Sequence, residues 1–301
     1  MRKLSFILLL LFSCALSAQQ FSMPAQIDRN LLYVNPAYAG KPGAAVVHLM
    51  HRTQWLNVPG APTFQSFEFH APLKKQAVAL GLQARRETVG NKNNNEAFFT
   101  YTHRIRLAQS TLAFGLKGGI NSISYTQASL ENTSTFDPAY ETNSLLLPNA
   151  GFGIGYYSKK FYAGLAIPYF FGTKATSDGT AEMDFDMSRL VYLFTAGGSF
   201  PVSEVLKIEP SLAVNYSSNL EPAMMAQVNF RLIEHILFGG GYRLDEALLF
   251  NLAYGINKQF SVAYSYEHTL GKLGAFSSGS HELGLMYYFG FVANTVNPRD
   301  F

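Results

Sequence analysis

The feature that most constrains this chain is an alternation. Large apolar residues recur at every second position, segment after segment, and rarely run together. Leu248, Phe250, Leu252, Tyr254 and Ile256 are interleaved with Leu249, Asn251, Ala253, Gly255 and Asn257. Phe260, Val262, Tyr264 and Tyr266 alternate with Ser261, Ala263, Ser265 and Glu267. The same pattern sets Ile208, Pro210, Leu212, Val214 and Tyr216 against Lys207, Glu209, Ser211, Ala213 and Asn215. Leu112, Phe114, Leu116 and Ile120 likewise alternate with Thr111, Ala113, Gly115, Lys117 and Asn121. A period of two is that of a strand with two unlike faces. A soluble sandwich would turn its apolar face inward and a well-charged face outward. Here only 14% of residues are charged, against roughly 25% in soluble domains. The polar faces are thin in charge and rich in Gly. That pattern fits lipid outside and a crowded or wet lumen inside.

Composition excludes the rivals. A chain that is 48% hydrophobic and 14% aromatic has ample surface to bury and is not disordered. One Cys rules out a disulfide scaffold. Only the first 20 residues hold a dense apolar run, so a helical polytopic membrane protein is excluded. The expected fold is an all-β, transmembrane, antiparallel up-and-down β-barrel of about 14 strands following a cleaved signal peptide.

The strands are predicted at 44–55, 63–71, 77–86, 96–106, 111–124, 149–157, 161–170, 189–200, 205–216, 223–231, 236–243, 248–256, 259–268 and 281–289. Fourteen is an even number, as in single-chain bacterial barrels. The links between them sort by parity. The odd-numbered ones are long, reaching 24 residues after strand 5 and 18 after strand 7, while the even-numbered ones are tight turns. Long loops outside and short turns in the periplasm give this alternation, which places both termini in the periplasm.

The first segment reads as an address. Arg2 and Lys3 form a basic start, Leu4 to Phe12 an apolar run, and Ala15-Leu16-Ser17-Ala18 a cleavage region. Residues 1–18 are therefore expected to be a secretory signal peptide. A lipoprotein signal ending at Cys14 is disfavoured by the bulky Phe12. Without Arg2 and Lys3 the basic residues fall from 23 to 21 against 20 acidic ones, a net charge near +1. Nothing in that balance calls for nucleic acid. Residues 19–43 do not alternate, and Pro36 and Pro42 argue against a central strand. This segment is expected in the periplasm or folded into the lumen as a plug, with the barrel occupying 44–301.

Motifs for chemistry are missing. The seven His are scattered, and His48 and His51, three apart on a strand, face opposite sides. No HExxH, Cys-rich zinc spacing or Gly-x-Ser-x-Gly elbow occurs. Gly151, Gly153 and Gly155 alternate with Phe152, Ile154 and Tyr156, so they read as a packed or lumen-facing stripe rather than a nucleotide loop. Gly239-Gly240-Gly241 reads as a bend in a strand. Arg85, Arg86, Arg104 and Arg106 cluster on strands 3 and 4. They form either a basic patch facing an acidic partner or solvated charge at strand ends, and the second is preferred. No catalytic residues, metal or cofactor are expected.

The last strand carries the sharpest local pattern. Glu282-x-Gly284-x-x-Tyr287-x-Phe289 has the polar, Gly, aromatic, aromatic spacing of the signal by which outer-membrane assembly machinery captures a terminal strand. Until closure that strand is an unpaired edge, open to capture by strand addition.

Several motifs together resemble the PorP/SprF family. They are Asn30-Leu31-Leu32-Tyr33-Val34-Asn35-Pro36-Ala37-Tyr38-Ala39-Gly40, Arg52-x-Gln54-Trp55, Gly60-Ala61-Pro62, and Gly279-Ser280-His281-Glu282 leading into Tyr287-x-Phe289. The elements run in the family's order and span nearly the whole mature chain. The resemblance implies an outer-membrane barrel of the Bacteroidetes, linked to type IX secretion and gliding motility. It implies a non-enzymatic role in exporting secreted proteins or anchoring adhesins at the surface, with contact to secretion-system components as well as lipid. Tyr33, Asn35, Pro36, Tyr38, Gly40, Arg52, Gln54 and Trp55 then have two readings, as partner contacts or as shapers of the turn into strand 1. The alternative function is a passive channel or small-molecule transporter, since Gly- and Ser-rich inner faces leave space. A barrel hydrolase ranks lowest. Oligomeric state and the secreted partner are left open.

Overall fold

A computed structural model describes residues 23–73, 77–125, 145–175, 181–218 and 220–290. The predicted signal peptide and Cys14 lie outside these residues, as does most of the loop between strands 5 and 6. Fourteen strands form the wall: β1 (Ala45–Thr53), β2 (Thr63–Pro72), β3 (Val78–Val89), β4 (Lys92–Arg106), β5 (Ser110–Tyr125), β6 (Leu145–Ser158), β7 (Phe161–Ile167), β8 (Tyr192–Gly198), β9 (Leu206–Ser217), β10 (Leu220–Leu232), β11 (Ile236–Arg243), β12 (Ala247–Gly255), β13 (Phe260–Thr269) and β14 (Ser280–Phe289). Each pairs antiparallel with its neighbour in sequence, and β1 pairs with β14 from Ala45↔Phe289 to Thr53↔His281. The sheet is therefore a closed ring. Closure is obligatory in lipid, where an unpaired edge of N–H and C=O groups finds no water.

All fourteen predicted strands are present, and the differences lie at their ends. The predicted nine-residue link at 87–95 is mostly strand, and the turn is reduced to Gly90 and Asn91. Asn93, Asn94 and Asn95 look like loop residues because both strand faces turn polar there. The hairpin nevertheless continues in register, with Thr88 Oγ1 donating to Asn93 Oδ1 at 2.9 Å. Likewise β10 begins at Leu220, three residues before its predicted start. The link after β7 carries a two-stranded ribbon, Gly172–Ala175 with Ala181–Asp184, that alternation did not reveal. Gly239-Gly240-Gly241 lies in unbroken register with both neighbours, so it is no bend.

The partition of side chains is inside-out relative to a soluble protein. Leu49, Phe99, Leu116, Leu165, Phe250, Leu252 and Leu283 are exposed on the outer face. Stacked pairs such as Phe230–Phe238, with centroids 5.6 Å apart, tie neighbouring strands on that face. Buried on the inner face are Glu68, Gln83, Arg85, Thr100, Arg104, Lys117, Gln227, Asn251, Glu267 and Glu282. A buried charge needs a partner or it costs several kcal/mol. So many inward charges require that something polar fills the ring.

A charge placed on the outer face should cost in proportion to its depth. Phe250→Arg, in the middle of β12, is expected to destabilise the barrel by about 2–4 kcal/mol, and Leu248→Arg, near the strand end, by about 0–1 kcal/mol. Reversible denaturant unfolding in lipid vesicles reads the difference. Equal losses at both positions would contradict a lipid-facing band.

Candidate functional site: the plug seat inside the ring

Residues 23–43 lie inside the ring. They include the short helix α1 (Leu31–Val34) and a 3-10 turn at Pro36–Tyr38. Met23, Ala25, Ile27, Tyr33, Val34, Asn35, Ala37, Tyr38 and Ala39 are all buried. An irregular backbone at membrane depth survives only where protein satisfies its polar groups. Here inward side chains from many strands do so. Gln227 of β10 donates to Ala25 O at 2.7 Å, and Arg243 of β11 to Met23 O at 3.1 Å. From β3, Gln83 donates to Leu32 O at 3.0 Å and Arg85 to Tyr33 O at 2.7 Å. From β4, Thr102 donates to Pro36 O at 2.7 Å, and Arg104 donates to Gly40 O. His70 Nδ1 accepts from Gly40 N at 3.1 Å.

The ring's closing seam holds the other end of the segment. Arg52 and Glu282 stand opposite each other in the β1–β14 register. Glu282 accepts from Ala25 N at 2.8 Å, Gln26 N at 3.0 Å and Arg52 Nη1 at 3.2 Å. Arg52 forks onto Glu267 of β13 at 2.6 and 2.8 Å, and Arg243 reaches the same carboxylate at 2.8 Å. Two arginines and two carboxylates thus form one buried chain, which also binds plug backbone. Such bidentate, charge-assisted bonds are short and directional.

Glycines on β5 to β7 make room for the Asn-Pro-Ala-Tyr turn. A Cβ at Gly115 would overlap the backbone of Pro36 and Ala37, and one at Gly153 would overlap Asn35 Oδ1. Asn35 caps the turn by accepting from Ala37 N at 2.8 Å. Its Nδ2 donates to Ile154 O at 3.0 Å and Leu165 O at 3.3 Å. Tyr38 packs against Tyr157 and Tyr162, its hydroxyl 3.4 Å from Thr195 Oγ1. Tyr33 meets Phe64 edge-on, with the Arg85 guanidinium 4.0 Å from its ring centroid. Gly40 turns with φ of 68°, a conformation that favours Gly.

The motif residues thus divide. Tyr33, Asn35, Pro36, Tyr38, Gly40 and Arg52 meet within the plug seat. Gln54 and Trp55 lie outside it, in the turn after β1: Gln54 N donates to Pro62 O at 2.9 Å, and Trp55 N to Ser280 Oγ at 3.1 Å. Of the last-strand pattern, Glu282 and Gly284 face inward and Tyr287 and Phe289 outward, with the two rings 4.7 Å apart. Sequence reasoning missed Gln83, Thr102, Gln227, Arg243 and Glu267. The available signal was large polar or charged side chains at the inward parity of otherwise apolar strands. Neither reading of the arginine cluster survives intact. Arg85 and Arg104 are buried donors to the plug, while Arg86 and Arg106 are exposed.

Between plug and wall a cavity of about 140 Å³ remains, lined by Asp28, Lys41, Tyr162, Glu209 and Arg231 among others. The Lys41 ammonium lies 4.1 Å from the Tyr162 ring centroid. Burial pulls its pKa down to about 7, against the pull of Asp28 and Glu209. Burial, helped by the Glu209 charge, raises the Asp28 carboxyl above its usual range, while Arg29 and Arg231 oppose the rise.

Residues 16–287 match the family described as type IX secretion system membrane protein PorP/SprF. A search of curated proteins gives no match. Among solved structures, the chain resembles the CymD monoaromatic hydrocarbon channel (TM-score 0.51, 12% identity, 90% of this chain and 94% of that one). It also resembles the P. putida toluene transporter TodX (0.50, 9%, 85% and 93%). The Acinetobacter baumannii outer membrane protein Omp33 is similar as well (0.50, 6%, 82% and 98%). At these identities the likeness is one of fold.

Two measurements test the seat. Gly115→Ala should unseat the segment, while Gly118→Ala, whose Cβ would meet nothing within 4 Å, should leave it in place. Protease cleavage within residues 23–43 of the folded barrel reads the difference, and equal resistance would contradict the packing. Lys41 adds a pH dependence. Its seated pKa, about 7, lies below its unseated one, so seating tightens as pH rises from about 7 towards the ordinary lysine range. Lys41→Met should flatten protease resistance across that window.

Proposed function

Because the chain belongs to the PorP/SprF family of type IX secretion system membrane proteins, we propose that it is a non-enzymatic outer-membrane barrel that supports export or surface anchoring of secreted proteins through protein–protein contact. The observation that carries this reading is the filled lumen. Side chains of strands all around the ring hydrogen-bond one internal segment. A wall that spends its polar groups on its own chain is built for rigidity rather than for solute passage. The last described residues lie on the side of the tight turns, which we assign to the periplasm, where secretion-system components would meet the barrel, while Met23, at the other end of the described chain, is held by Arg243 on the side of the 54–62 and 270–279 connections. The longer connections, including 54–62 and 270–279, then face outside, where a secreted protein or adhesin would be held.

The test has two arms. Deleting the gene should strongly reduce surface display of at least one large secreted protein, and unchanged display of every one would overturn the proposal. In planar bilayers the wild-type barrel should be silent, while a variant lacking residues 23–43 should conduct. Solute-selective current from the wild type would favour the channel reading instead.

A further inference from the structure

Alternation places the outward side chains of all fourteen strands against lipid. Among the described residues, one Arg, Lys, Asp or Glu stands on that face: Arg86 of β3, which is exposed. No carboxylate or other acceptor of the protein engages its guanidinium among those residues. An unpaired cation at the edge of a bilayer calls for an anion from the surroundings.

Strand register shows at what depth it lies. His51, Gln65, Arg86, Asn95 and Ser122 form one paired row across β1 to β5. The next outward row towards the strand ends is Thr53, Thr63, Thr88, Asn93 and Ser124. The row on the other side is Leu49, Phe67, Ala84, Ala97 and Ile120. Arg86 therefore stands where the apolar band gives way to polar side chains, at headgroup level. Directly below it the small Ala84 leaves a groove of about 430 Å³, walled by Leu49, Phe67, Leu283 and Leu285, with His51, Gln65 and Arg86 at its polar end. A lipid lying along the wall would set an acyl chain in the groove and its phosphate against Arg86.

We propose that this face binds a phosphate-bearing anionic membrane lipid, with its phosphate held by Arg86 beside His51 and Gln65 and an acyl chain in the Ala84 groove. The proposal rests on the barrel fold and not on the secretion role. Guanidinium suits phosphate because its planar fork donates two parallel bonds. Neutral or zwitterionic lipids would gain the groove but no net charge attraction.

The full-length folded barrel, in mild detergent, is titrated with phosphatidylglycerol or phosphatidylcholine of equal chain length and followed by native mass spectrometry. Wild type should hold one phosphatidylglycerol about five- to tenfold more tightly than phosphatidylcholine. Arg86→Gln should abolish that preference and leave phosphatidylcholine binding unchanged, while Arg86→Lys should keep part of it. Ala84→Phe, filling the groove, should weaken both lipids. Inorganic phosphate should not displace phosphatidylglycerol. Equal wild-type affinity for the two lipids, an undiminished preference in Arg86→Gln, or displacement by inorganic phosphate would overturn the assignment. So would an Arg86→Gln variant that changes oligomeric state with lipid binding intact, which would make the face a protein interface. Heat-modifiable gel mobility verifies folding, and the Lys variant supplies the charge test if the Gln variant does not fold.

Discussion

The structure depends on the buried chain Arg243–Glu267–Arg52–Glu282. Arg52 and Glu282 face each other across the pair that joins the first strand to the last, so they bear on the register that turns an open sheet into a ring. The same Glu282 accepts the Ala25 and Gln26 amides. Closing the ring and seating the internal segment thus draw on one carboxylate. Buried pairs of this kind are poor sources of net stability, because desolvation cancels most of the attraction, yet removing one partner costs about 3–5 kcal/mol. That asymmetry rewards specificity. A barrel closed one residue out of register would send Arg52 to the lipid face, leaving Glu282 buried without its cation and Glu267 with Arg243 alone. The empty ring is penalised as well, since Gln227, Gln83 and Arg85 would lose their carbonyl acceptors.

This coupling gives the last-strand pattern a second meaning. Tyr287 and Phe289 point outward, where the expected assembly signal would be read, while Glu282 points inward to the segment from the other end of the chain. One eight-residue stretch therefore addresses both the membrane side and the lumen side of closure, on the alternate faces that strand geometry supplies.

The wall was legible in the sequence because a bilayer allows few solutions. Alternation at Leu248–Ile256 or Phe260–Tyr266 has one physical reading once charge is this scarce. What alternation could not show was where strands continue beyond the apolar band. Polar Asn93–Asn95 carry no period-two contrast, yet the hydrogen-bonded ladder runs through them. The seat was less legible still. Arg85 and Arg104 read as strand-end charges because their acceptors, the carbonyls of Tyr33 and Gly40, come from a segment some fifty to sixty positions earlier, and no local pattern records a backbone acceptor. The glycines opposite the Asn-Pro-Ala-Tyr turn were visible as a stripe, but their reason, the close approach of Pro36 and Ala37, appears only when the strands surround the turn.

The Asn-Pro-Ala-Tyr-Ala-Gly run then has a structural account at nearly every position. Asn35 caps the turn and bonds two wall carbonyls, Pro36 offers its carbonyl to Thr102, Tyr38 fills the aromatic recess at Tyr157 and Tyr162, and Gly40 makes the left-handed exit. No side chain in that list is left over to grip a partner. On the proposed function, the recognition surface of a barrel built this way would lie elsewhere, on the connections at the rim and on the outer wall. The first described turn, 54–62, illustrates the division. It is tied to the 270–279 connection by Leu56 N to Gly279 O at 2.8 Å and Ser278 N to Leu56 O at 2.9 Å, directly above the seam that Arg52 and Glu282 close. The filled lumen stiffens the wall, and the wall in turn fixes the two connections that meet at the seam, so on the proposed function the interior of this barrel would act on partners through the rim it holds in place.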